Sequence, residues 1–191
     1  MPETASLVAD LTSLDEPRAE AAVAALADLG ETALEATLPL LQSPSSETRW
    51  WAVRVAAAVQ TPRAAAALIA ALDDRDPLVR QAAAIGLRLQ PSIEAAPALV
   101  SRLGDRDRLL ARLASDALAA LGASALPHLR RALRSSDVAT RIYATRALAS
   151  MDEPGVTPYL FAALDDDSPL VQHWAERGLE RRGVGMVFFV P

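Results

Sequence analysis

The side chains able to do chemistry are few and scattered. There is no cysteine, so thiolate nucleophiles, thiolate metal sites and disulfides are excluded together. The two histidines, His128 and His173, are followed by Leu129 and Trp174 and stand alone on separate predicted helices, too few to build a histidine-rich metal site. No Ser/His/Asp or paired-carboxylate arrangement emerges from the spacing. The aspartate-rich stretches, Asp73, Asp74 and Asp76, and Asp165, Asp166 and Asp167, lack the sharp-turn glycine and distal glutamate of a calcium loop. They read as helix caps and solvated turns. Neither a catalytic group, a metal nor a cofactor is expected.

Charge gives a second constraint. The formal net charge of the 191 residues is −5, and every one of the 19 basic residues is arginine. Residues 1–60 hold three arginines against nine acids, 61–134 eleven against seven, and 135–191 five against eight. Only the middle third is basic, through residues such as Arg80, Arg88, Arg102, Arg106, Arg108, Arg112, Arg130, Arg131 and Arg134. Asp105, Asp107 and Asp116 lie among them, whereas gripping nucleic-acid phosphates needs a net positive stripe, so nucleic acid is an unlikely partner.

What must position these side chains is a repeat. Aligning TRWWAVRVAAAV from Thr48 with the segments from Val79, Leu110, Thr140 and Val171 puts Arg49, Arg80, Ala111, Arg141 and Gln172 in register, 30 or 31 residues apart, and a weaker copy adds Ala19. Counting from that position as zero, position 3 is always alanine (Ala22, Ala52, Ala83, Ala114, Ala144, Ala175). Position 7 is apolar (Leu26, Ala56, Leu87, Leu118, Leu148, Leu179). Positions 0, 3 and 7 trace one stripe of an α-helix that must be buried. Shorter apolar helices are predicted between these segments, at 32–42, 63–72, 92–103, 124–134 and 156–164. Pro77 and Pro169 fit the first helical turn, with Asp76 and Ser168 before them as N-caps. A helix pair of this kind cannot bury its apolar face alone, so neighbouring pairs must stack.

The pattern D-x-x-V-R-x-x-A-A-x-A-L-G resembles the HEAT repeat, closest to the short bacterial kind found in phycobilisome lyases. Asp76, Val79, Arg80, Ala83 and Leu87 carry the resemblance best, with Asp137, Arg141, Ala144 and Leu148 next. It implies an all-α, right-handed α-solenoid of about six helix-turn-helix units, approximately 3–30, 31–60, 61–91, 92–122, 123–152 and 153–182, forming one domain over 1–182. It also implies that the repeat arginine pairs with turn aspartates in a ladder, interrupted here at Ala111 and Gln172. Some HEAT-like proteins are hydroxylases holding two irons through His-Glu pairs, for which this chain lacks the residues. Others are lyase subunits or DNA glycosylases, so the resemblance specifies the fold far better than the function.

In such arrays the second helix of each pair lines the concave surface, and positions 1, 5 and 8 should face it. That assigns to a partner-binding surface Trp50, Arg54, Gln81, Ile85, Arg88, Arg112, Ile142, Arg146, His173 and Arg177, with Ala57, Asp116, Ala119, Ala149 and Glu180 beside them. Successive helical residues point about 100° apart, so Trp50 and Trp51 cannot enter the same core; Trp50 is read as the exposed one. Trp51, Tyr143 and Trp174, all at position 2, are read as packing between repeats. Tryptophan and arginine dominate many interfaces, which makes the ridge a candidate docking surface.

The chain ends in GVGMVFFVP, 183–191, whose Met186, Val187, Phe188 and Phe189 are costly to leave in water. The segment either caps the last repeat or docks into a partner or a second copy, which would allow self-association. No apolar run is long enough for a membrane span, and the first residues lack a signal-peptide pattern, so a cytoplasmic protein is expected. The expected function is a non-catalytic scaffold that binds another protein. The alternatives are an accessory subunit of a phycobilin-lyase-type enzyme and, third, a nucleic-acid-binding protein.

Overall fold

A computed structural model describes residues 2–13 and 15–184, among which there are twelve α-helices and no strand. They form six pairs. The first members are α1 (Pro2–Leu11), α3 (Glu31–Thr37), α5 (Pro62–Ala71), α7 (Ala96–Arg102), α9 (Leu126–Ala132) and α11 (Thr157–Ala163). Each is followed by a longer partner, respectively α2 (Glu16–Asp28), α4 (Ser46–Ala58), α6 (Pro77–Leu89), α8 (Arg108–Ala120), α10 (Val138–Ser150) and α12 (Pro169–Arg181). The fold is the all-α solenoid class that the period predicts. The chain divides into two compact units, 1–98 and 99–191. In the first, α4 packs against both α2 and α6; in the second, α10 packs against both α8 and α12.

The predicted stripe is the core. Positions 0, 3 and 7 are buried in every repeat except at Arg80, Arg141 and Gln172, which are half-buried. Leucine supplies the volume, Leu26, Leu68 and Leu87 in the first unit and Leu118, Leu148 and Leu160 in the second, all at most 1% exposed. Each fully buried leucine contributes about 1.5–3 kcal/mol relative to an exposed one.

Start signals follow residue chemistry. Asp15, Ser45, Thr61, Asp76, Asp107 and Asp137 each accept a cap bond from a backbone N–H two or three residues on. Ser168 occupies the N-cap of α12 with an extended backbone, but its hydroxyl makes no cap bond. Three of the first helices begin differently from the simple helix expected. A 3₁₀ turn, Ile93–Ala95, Gly122–Ala125 or Pro154–Val156, precedes the α-helix, and Pro97, Pro127 or Pro158 stands at the second α position. Proline has no N–H to close an α-type bond, so the tighter turn leads into the helix and the proline sits where no donor is needed.

The turn before each second helix carries a device that ties repeats together. Six residues ahead of position 0 stand Ser13, Ser43, Asp74, Asp105, Ser135 and Asp166. In all six repeats that side chain accepts the backbone N–H two residues later. Asp74 and Asp166 also serve the preceding repeat. Arg49 donates through Nε and Nη2 to Asp74 (2.8 and 2.8 Å), and Arg141 does the same to Asp166 (2.8 and 3.1 Å). Each arginine also donates to the carbonyl six residues behind it, that of Ser43 or Ser135. Arg49 is only 4% exposed. These guanidinium bonds hold the Asp74 and Asp166 carboxyls below the usual carboxylate range and raise Arg49 and Arg141 above the ordinary arginine value.

Residue types at the two ends of this device change together. Arg49, Arg80 and Arg141 are followed 25 residues on by Asp74, Asp105 and Asp166. Ala19 and Ala111 are followed 24 residues on by Ser43 and Ser135. The two alanine interruptions therefore lack both charges: serine keeps the turn without leaving a carboxylate that nothing would neutralise.

Two glycines at position 6 set how closely second helices approach. A Cβ on Gly86 would stand 2.9 Å from Ala57 Cβ and 2.9 Å from a Leu68 methyl; one on Gly178 would meet Ala149 Cα at 2.9 Å and a Leu160 methyl at 2.8 Å. The second contact explains why Ala149, expected on the open surface, is buried. With no side chain at 178, α12 closes over it.

Candidate partner-binding face

On a 100° helical wheel, positions −2, 1, 5 and 8 fall within an arc of about 80°. The sequence places its partner-binding residues at positions 1, 5 and 8, and position −2 joins them in this arc opposite the stripe. In the first unit it carries Trp50 and Arg54 on α4, then Leu78, Gln81, Ile85 and Arg88 on α6. Trp51, not Trp50, enters the core, at 5% exposure, while Trp50 is half-buried. The two indoles meet edge to face, with centroids 4.8 Å apart, and the Arg54 guanidinium lies 5.0 Å from the Trp50 ring. Arg54 is also clamped by both carboxylate oxygens of Glu20 on α2, at 2.8 Å each. Gln81 is half-buried, whereas Leu78, Ile85 and Arg88 are exposed.

In the second unit the arc carries Leu109, Arg112 and Asp116 on α8, Ile142 and Arg146 on α10, and Leu170, His173 and Arg177 on α12. Arg112, His173 and Arg177 are exposed. Ile142 is half-buried and packs on the cluster of Ala163, Val171 and Ala175, so its apolar surface belongs largely to the α10–α12 contact. Arg146 reaches across the surface, donating to Asp116 at 2.7 Å and to Ser115 Oγ at 3.1 Å, with its guanidinium 5.5 Å from the Trp174 ring. Trp174, read from sequence as packing, is half-buried and touches His173 edge to face at 5.7 Å. It forms one wall of a groove of about 490 Å³ shared with Ala149, Ser150, Arg177, Glu180 and Arg181. Tyr143, also at position 2, is half-buried, and its hydroxyl donates to the Arg108 carbonyl at 3.2 Å.

Sequence reasoning placed Asp116 on this face but missed Glu20 and the pairing of both acids with arginines. Glu20 lies 34 residues before Arg54 and Asp116 30 before Arg146, so opposite charges about one repeat apart were the available signal. His128 is half-buried. Met186, Val187, Phe188 and Phe189 lie outside the described residues. Among the described residues no group of His, Asp and Glu is arranged to hold a metal ion, and no helix is long and apolar enough to cross a membrane. A second groove, of about 710 Å³, lies in the first unit beside α5 and the 90–94 turn; Glu94 is its only charged lining residue.

The profile described as HEAT repeats matches residues 4–88 and 96–180. No curated protein matches the chain in sequence. Among solved structures, the complex of CpcE and CpcF of phycocyanin lyase from Nostoc sp. PCC7120 aligns with 91% of this chain and 74% of its own, at 23% identity and a TM-score of 0.54. An engineered protein aligns over 97% of this chain and 100% of its own at 23% identity and a TM-score of 0.52. A designed armadillo repeat protein in complex with peptide (KR)4 aligns over 92% and 97% at 20% identity and a TM-score of 0.50. At these identities the likeness is one of fold.

Proposed function

The chain belongs to the HEAT-repeat family, and from that premise we propose that it is a non-catalytic scaffold that binds another protein on the outward arc of its second helices. The observation carrying this reading is that in both units that arc presents arginine and exposed aliphatic side chains which the stripe does not require, with Trp50 on the arc in the first unit and Trp174 beside it in the second. Ile85, Leu109 and Leu170 are 43%, 42% and 57% exposed there. Aromatic and arginine anchors over a rigid, alanine-packed support suit protein recognition, since little conformational freedom is lost when a partner settles on them. Acid–base or metal chemistry would need several titratable groups converging on one point, and this face offers isolated ones. The designed armadillo repeat protein in complex with peptide (KR)4 illustrates that a helical repeat protein of similar fold can hold a peptide.

The test is selection of phage-displayed random dodecapeptides on the immobilised full chain. Enriched clones should lose at least tenfold in binding to a variant with Trp50, Arg54, Arg146 and Arg177 all changed to alanine. They should be indifferent to Arg63→Ala and Arg130→Ala on the first helices. Circular dichroism should be unchanged in every variant. Clones that bind equally well to the fourfold variant would end this reading.

A further inference from the structure

Resting on that reading, we propose that the second unit's face, and not the first's, takes an extended acidic peptide segment with interspersed apolar residues, anchored by a carboxylate in the groove between Trp174, Arg177 and Arg181.

The argument is one of unspent charge. In the first unit Arg54 already has a bidentate carboxylate, Glu20, and its remaining face lies over Trp50, which leaves that arc one exposed arginine, Arg88, against two in the second. In the second, Asp116 is occupied by Arg146, while Arg112 and Arg177 are exposed and neither makes an ion pair among the described residues. Arg181 lines the groove beside Arg177 and donates only to the Ser150 carbonyl, at 3.0 Å. The groove therefore holds two guanidinium groups against one carboxylate, Glu180, beside an indole wall. An incoming carboxylate can pair bidentately with Arg177, and an aliphatic or aromatic neighbour can lie on Trp174.

The second free cation sets the length. Arg112 on α8 and Arg177 on α12 are two repeats apart, and packed helices stand roughly 8–10 Å apart, so the separation is on the order of 16–20 Å. An extended chain rises about 3.3 Å per residue, which spaces the two matching acids about six residues apart. Exposed Leu109 and Leu170 flank that path and favour apolar residues between the acids. A nucleic acid fits less well, because Asp116 and Glu180 interrupt the cations where a phosphate backbone would need continuity.

The experiment is fluorescence anisotropy of the full chain with fluorescein-labelled Glu-Glu-Phe-Glu-Glu-Phe-Glu-Glu at low and moderate salt. Saturable binding is expected, weakened about five- to tenfold by Arg177→Ala and by Arg112→Ala, and by less than twofold by Arg54→Ala. The Gln-for-Glu version of the peptide should bind at least tenfold more weakly. All three arginines are exposed or half-buried, and unchanged melting temperatures will show that the variants fold. Absent binding, or binding indifferent to Arg112 and Arg177, overturns the proposal. So does an oligodeoxythymidine that binds more tightly with the same arginine dependence, or a Gly-Met-Val-Phe-Phe-Val-Pro peptide that binds there when the acidic one does not. If the acidic peptide fails while selected dodecapeptides still depend on the second-helix face, only the partner's chemistry is wrong. If both fail, the scaffold reading fails with it.

Discussion

In residues 1–98 the outward arginine of α4 is clamped by Glu20 and lies on a tryptophan, while in residues 99–184 the outward arginine of α12 stands beside a tryptophan with no carboxylate attached. The supports beneath the two are close copies. Each unit has one arginine–aspartate staple, Arg49 to Asp74 or Arg141 to Asp166. Each has one position-6 glycine under its last second helix. Each also has one side chain at position 10 that donates to the C-terminal carbonyls of the preceding second helix, Gln90 to Ala56 and Arg182 to Leu148 and Ala149. Burial pushes the Arg182 guanidinium below the ordinary arginine value. Near-identical scaffolding with differently neutralised surfaces teaches that the repeat fixes where a side chain stands, and that its neighbour one period away decides whether it is available.

The sharpest way to break this comparison is to remove a staple. Arg49→Ala leaves Asp74 with its turn bond and only the more distant charge of Arg75, and should cost on the order of 3 kcal/mol in urea unfolding. The double change R49A/D74S copies the chain's own Ala111 and Ser135 and should recover more than half of that loss. A double variant no more stable than Arg49→Ala would sink the claim that the charges are tied to each other. The staple also predicts a pH dependence. Asp74 is held low in the folded chain, so its contribution is complete above the unfolded value of about 3.9 and disappears as pH falls through the folded value. The double variant should show a shallower loss of stability below about pH 4 than the unaltered chain.

A smaller effect is expected at the close helix contacts. Gly178→Ala drives a Cβ against the backbone of Ala149 and should destabilise by about 1–3 kcal/mol, less whatever alanine returns in helix propensity. Gly86→Ala meets Leu68 methyls that can turn away and the Ala57 Cβ, which shifts only with its helix, but no backbone atom, and should be milder. Thermal unfolding of the two variants checks the order, and a more damaging Gly86→Ala would reverse the assignment. Smallest of all is Glu20→Ala, which breaks an ion pair whose partners are about one-third to one-half exposed and should cost well under about 1 kcal/mol. Its interest lies elsewhere. Freeing Arg54 should raise the stoichiometry of acidic peptide bound in calorimetry from one toward two. Unchanged stoichiometry would mean that pairing is not what silences the first face.

Most of the fold was legible because a 30-residue period with alanine at position 3 leaves one way to hide the stripe. The expectation that positions 1, 5 and 8 lie off the stripe held for residues such as Arg88, Arg112 and Arg177. It failed at Ala149, because burial there depends on a glycine 29 residues later in another helix. The state of Arg54 and Arg146 was not readable from one helical wheel either, since their acids sit on the preceding repeat. The exchange of Arg/Asp for Ala/Ser was in plain view in the sequence. It surfaces only when the register is followed across the repeat boundary, and a search for motifs inside each copy passes over it.

That coupling bears on how such an array can grow or shrink. A gene segment copied from one repeat into another carries the position-0 residue but, if the cut falls within the next 25 codons, leaves its acceptor behind. Crossovers there would set arginine against serine, or alanine against aspartate. Tolerated crossovers should therefore cluster between the acceptor turn and the six residues that lead to the next position 0.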